Sequence, residues 1–90
     1  MFIVVEHIIT DPKGFWGVVP KVVQTPEDVK VVQSYPSISS DRAVCLWDAA
    51  SVEKVKAFLE PLTAQFSRNT YYAVDTTNAL GLPTIAAKAA

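Results

Sequence analysis

The chain has little of the two residue types that most often carry metal and nucleophile chemistry: one histidine, His7, and one cysteine, Cys45, in 90 residues. A single cysteine excludes an internal disulfide. Glycine is scarce too, at three residues. With no Gly-x-Gly-x-x-Gly, no Walker loop, no Cys-x-x-Cys and no His-Glu-x-x-His, nothing is available to cradle a nucleotide phosphate, which argues against nucleotide-dependent enzymes. No stripe of one charge sign occurs. Eight Lys and Arg residues are scattered among nine acids for a formal charge of −1, so the electrostatic footprint of a nucleic-acid binder is missing and no nucleic-acid partner is expected. Apolar runs are far too short to span a bilayer, and no charged n-region with an apolar h-region precedes the first strand-like segment, so no membrane association and a cytoplasmic location are the expectations.

What is present is the composition of an ordinary folded domain, half apolar and 19% charged. The length suits one core, expected over residues 1–75, followed by a C-terminal tail, 76–90. Phe2–Ile9, "FIVVEHII", reads as a strand. Asp11-Pro12 reads as an N-cap with proline at the first helical position. The following apolar stripe, Phe15, Trp16, Val18, Val19, Val22 and Val23, is interrupted by Pro20, which predicts an end or kink near Val19. "TPED", Thr25–Asp28, is turn chemistry. It leads into a second strand, "VKVVQSYPS", in which Val29, Val31, Gln33 and Tyr35 alternate with Lys30, Val32 and Ser34. Pro36 places the end of that strand at a sheet edge. After the polar turn "SISSDR" comes "AVCLWDA", Ala43–Ala49, a strand apolar on both faces.

Ser51 caps a second helix, "SVEKVKAFLEPL", with Glu53 in its first turn and Val52, Val55, Phe58, Leu59 and Leu62 as its buried face. Pro61 is expected to shorten or bend it. "SRN", Ser67–Asn69, reads as a turn, and "TYYAVD", Thr70–Asp75, as the fourth strand. The remainder, "TTNALGLPTIAAKAA", shows no clear period and predicts at most a short helical piece. The order β-α-β-β-α-β is that of the split βαβ motif: an α+β, ferredoxin-like fold with a four-stranded antiparallel sheet and two helices on one face. The first and third strands are central in that topology, and they are the two that are apolar on both faces. Helices cover only one face, so the other would expose a larger apolar patch than soluble monomers usually carry. A second copy packed sheet to sheet about a two-fold axis is the expected cover, giving a homodimer.

The stretch "VVQSYPSISSDRAVCLWDAASVEKVKAFLE", Val31–Glu60, together with "VEHII" near the start, resembles the dimeric α+β-barrel superfamily, and within it a group of small bacterial proteins of which some are described as nickel-binding. The shared motifs are a Ser-Tyr pair ending one strand, a cysteine two residues before an aromatic, and a serine-capped helix, over most of residues 2–75. The resemblance implies a dimer whose sheets close into a barrel, and allows a divalent metal such as nickel as cofactor. The superfamily also includes cofactor-free monooxygenases, haem proteins and small lactone isomerases, so sharing the fold does not choose a chemistry. A haem would need His7, the sole imidazole, as its axial ligand.

Alternation along the first strand puts His7 with Ile3, Val5 and Ile9, and Glu6 with Phe2, Val4 and Ile8 on the opposite face. One of the pair must face the helices and the other a partner sheet or cavity. His7 could satisfy itself on a backbone carbonyl or a carboxylate at the core's edge, or contact a ligand as donor, base or metal ligand. A ligand-binding set of His7, Trp16, Tyr35, Cys45, Trp47 and Tyr71 would give an apolar, aromatic pocket with a few polar groups, a composition that ordinary cores share. Cys45 reads first as a small buried hydrophobe. A metal site would use His7 with Cys45, Glu6 or Asp48, and two histidines only if a second copy contributed one. Three readings stay open: a homodimeric protein binding a small ligand or divalent metal; a cofactor-independent monooxygenase or isomerase acting on a small apolar substrate with His7 as base; and a purely structural dimer.

Overall fold

The β-branched run at the start of the chain forms a central strand of the sheet. The computed structural model describes residues 1–83, and its elements follow in the order β1 (Phe2–Ile9), α1 (Pro12–Val22), β2 (Val29–Pro36), β3 (Arg42–Ala49), α2 (Val52–Thr63) and β4 (Ser67–Ala73). The strands pair antiparallel in the order β2-β3-β1-β4. This is the expected α+β ferredoxin-like arrangement, with the first and third strands central. Residues 84–90, part of the expected tail, lie outside the described residues. Within 76–83 there is a turn and no helix; Asp75 organises it by accepting from the Thr77 backbone N–H and the Asn78 amide.

Both helices start where their caps predict. Asp11 accepts from Gly14 N–H at 3.1 Å and Ser51 from Lys54 N–H at 3.2 Å. Neither helix stops at its proline. α1 continues through Pro20 to Val22 and closes with Val23 N–H donating to the Val19 carbonyl. α2 passes Pro61 to Thr63, with Ala64 N–H donating to the Glu60 carbonyl. Each proline removes one i→i−4 bond, and both lie on the exposed side of their helix. Packing of Val22 and Thr63 beyond the prolines outweighs the single lost bond.

The strand bounds differ from the expected ones at β4. "SRN" is not a turn: Ser67 opposes Ile9, Arg68 opposes Ile8 and Asn69 opposes His7. The turn falls earlier, at Ala64–Phe66, and β4 ends at Ala73 rather than Asp75. β2 also breaks its expected alternation. A register shift between Val31 and Gln33 sets Val31 against Trp47 but Tyr35 against Val44. The bulge at Val32 therefore turns Tyr35 to the opposite face from Val29 and Val31.

The helix-covered face holds two clusters. Ile3, Val5, Val29, Cys45, Trp47, Ala49, Val55 and Leu59 form the larger; Ile9, Phe15 and Ala43, flanked by Trp16, Val19 and Phe66, form the smaller. The open face carries Val4, Ile8, Val44, Leu46, Tyr35 and Tyr72, of which Ile8, Val44, Tyr35 and Tyr72 are exposed.

Gly14 marks a close approach of α1 to the rest of the fold, since a Cβ there would overlap the Phe66 ring and crowd Asp11 Oδ2. Gly14→Ala should lower unfolding stability by about 1–3 kcal/mol in a urea titration. Gly17→Ala, which meets open space, should raise it by about 0.5–1 kcal/mol.

Candidate functional site

His7 faces the helices and Glu6 the open side. The imidazole is 3% exposed, and on its strand it follows Val5 of the larger core cluster and precedes Ile9 of the smaller one. It marks the seam between them. A partly open cavity of about 100 Å³ lies along that seam, walled by Phe15, Trp16 and Val19 from α1, by Cys45 and Trp47 from β3, and by His7 itself. That volume corresponds to a few water molecules, each with a share of about 30 Å³ in the liquid. A drug-sized ligand needs several hundred Å³, so an occupant here has only a handful of non-hydrogen atoms.

Two polar features distinguish this wall from plain core. Trp47 is fully buried, its ring edge-on to Phe58 at 6.0 Å between centroids. Its indole N–H has no hydrogen-bond partner among the described residues. A buried donor left unpaired costs about 1–3 kcal/mol and calls for an explanation. The second feature is His7, packed edge-on against Phe15 at 5.1 Å and joined through Nδ1 to Asn69 Oδ1 at 2.6 Å.

Asn69 belongs to a polar network between β4 and α2. Its amide nitrogen donates to Glu60 Oε2 at 2.6 Å and to Thr63 Oγ1 at 2.9 Å. Thr63 donates to the Leu59 carbonyl at 3.0 Å, Ser67 Oγ reaches Asn69 Oδ1 at 2.7 Å, and the Tyr71 hydroxyl donates to Glu60. Burial pushes His7 below its ordinary pKa, with the Asn69 hydrogen bond and Glu60 opposing it in part. Burial would raise Glu60, yet the bonds from Tyr71 and Asn69 and the nearby Lys56 hold it below the usual value. Burial and the Glu60 carboxylate together raise Tyr71.

Four of the six residues expected to bind a ligand, His7, Trp16, Cys45 and Trp47, share the cavity wall. Tyr71 lies on the same sheet face but spends its hydroxyl on Glu60. Tyr35 is separated from the rest by the sheet, because the β2 bulge turns it outward. It lines an open groove of about 310 Å³ with Glu6, Arg42 and Thr70. Cys45 donates weakly to Ser34 Oγ at 3.4 Å, and burial raises its pKa, which keeps it a thiol. Glu6 and Asp48 lie on the open face, so neither joins His7, and no group of three His, Cys, Asp or Glu side chains suited to a metal occurs among the described residues. Sequence reasoning missed Asn69, Glu60, Thr63 and Ser67. The signal was the two-residue spacing of Ser67, Asn69 and Tyr71, hidden once "SRN" was read as a turn.

No family model, no curated protein and no solved structure matched this chain. The element order and antiparallel sheet are those of the ferredoxin-like α+β fold. No described helix is long and apolar enough to cross a membrane.

His7 supplies a pH test. Its folded pKa lies below the ordinary value of 6.5, so the unfolded chain binds the proton first as pH falls. Its contribution to stability is full above about pH 6.5 and is lost on descending toward the folded pKa. Wild-type stability should therefore fall as the pH is lowered through about 6.5, and His7→Leu should flatten that slope in denaturant titrations at each pH.

Proposed function

We propose that this chain is a homodimeric small-ligand-binding protein whose ligand is small and largely apolar and occupies the cavity between helices and sheet. The cavity itself, lined by His7 and by Trp47, whose buried indole N–H has no partner among the described residues, carries the proposal. An acceptor atom on an occupant would satisfy that donor, while Phe15, Val19 and Leu59 would cover its apolar body. A divalent ion such as nickel is the weaker occupant: the Cys45 thiol is held protonated, and His7 faces away from the sheet face across which a second copy would bring its own histidine. A second reading, a cofactor-independent monooxygenase or isomerase with His7 as base, draws on the burial that keeps the imidazole neutral.

The dimer rests on the open face. Val4, Val44 and Tyr72 present apolar surface there beside the buried Leu46, with Val44 38% and Tyr72 49% exposed. A two-fold axis would pack this surface against itself and leave each helix-side cavity within its own protomer.

Both tryptophans line the cavity, so their fluorescence reports occupancy. Titration with small alcohols and five-membered heteroaromatic compounds should give a saturable change that Val19→Phe, which fills the space, abolishes. A response that survives Val19→Phe would place the ligand elsewhere, and no response to any probe would favour the purely structural dimer. In sedimentation velocity the wild type should run as a dimer and Val44→Lys as a folded monomer; a wild-type monomer would remove the sheet-to-sheet interface.

A further inference from the structure

We infer that Asn69 is a positioning residue that holds His7 as the Nδ1–H tautomer, leaving Nε2 as an acceptor for an O–H or N–H group of the ligand; this rests on the cavity being the ligand site. The orientation of the Asn69 amide decides the matter, because its two ends call for opposite partners. Thr63 gives its only hydroxyl hydrogen to the Leu59 carbonyl, so toward Asn69 it can only accept. Glu60 receives the Tyr71 hydroxyl on the oxygen that also faces Asn69, and an ionised carboxylate likewise only accepts. Two acceptors at 2.6 and 2.9 Å fix the NH2 end. The other end, Oδ1, is then the atom 2.6 Å from His7 Nδ1, and a carbonyl oxygen at that distance requires a proton on Nδ1. Nε2 keeps a lone pair and makes no hydrogen bond among the described residues.

The residues of the wall thus include one with an unpaired donor, Trp47, and one with an unpaired acceptor, His7. A ligand that both accepts and donates matches the pair, as a hydroxyl compound does, whereas an ether or a hydrocarbon leaves one or both unpaired. Asn69 does not line the cavity, so it acts on the ligand only through the imidazole.

Because His7 is the only histidine, a long-range ¹H–¹⁵N correlation spectrum of the free protein, recorded above the imidazole's titration, shows its tautomer without ambiguity. The expected wild-type pattern is a protonated Nδ1 and an unprotonated Nε2. Asn69→Leu should lose it in favour of Nε2–H or a mixture, and Asn69→Asp, which restores an acceptor, should recover Nδ1–H. An Nε2–H wild type would overturn the inference even if the variants failed to fold, as would a pattern unchanged in folded Asn69→Leu. The ligand side is read with pyrrole, an N–H donor, and furan, a ring of similar size without one. Pyrrole should bind the wild type about fivefold more tightly, and equal binding would overturn the acceptor role of Nε2. Failure of both probes alongside an Nδ1–H spectrum would count against the cavity as the ligand site while upholding the positioning by Asn69.

Discussion

The hydrogen bond between His7 and Asn69 makes the rest of the interior workable. An imidazole in the middle of a central strand would cost about 1–3 kcal/mol if buried without a partner, and β4 supplies that partner directly opposite it. Asn69 is in turn satisfied by α2, through Glu60 and Thr63, so one strand residue ties the central strand, the edge strand and a helix together. A satisfied network of this kind rigidifies a core, and here Tyr71 and Asn69 both donate to a single carboxylate.

The same residue divides the apolar interior. Val5 and Ile9 flank His7 along the strand and belong to different clusters, and the space between those clusters is not filled. α1 meets the smaller cluster through Phe15 and Trp16, while α2 meets the larger through Val55 and Leu59. Close packing normally removes such gaps. This one is lined by Trp47, whose buried N–H has no partner among the described residues, and by His7. The sheet separates it from the open face, so what covers that face and what enters the cavity are independent questions for this molecule.

Much of the architecture was legible in the chain. Apolar runs, alternation in the second strand and β-rich composition located all four strands, and Asp11 and Ser51 began the helices where side-chain capping predicts. The pairing of apolar-on-both-faces strands with central positions also held, since only central strands have neighbours on both edges and layers to bury against. The prolines misled because a single lost backbone bond is a local cost, and Val22 and Thr63 gain more by staying in register with the core. "SRN" misled for a related reason: polar residues favour turns only when their side chains have no better partner, and Ser67 and Asn69 have one in α2.

Of the site, the sequence alone determined that His7 and Glu6 occupy opposite faces, because alternation in an extended chain is a covalent consequence. Which face turns inward, which residues meet His7, and whether Tyr35 joins them were decided by tertiary structure. Those outcomes depend on the helices choosing one side of the sheet, on a bulge at Val32 that no local preference announces, and on Asn69 standing across the ladder, 62 residues away from His7, where only strand pairing could bring it.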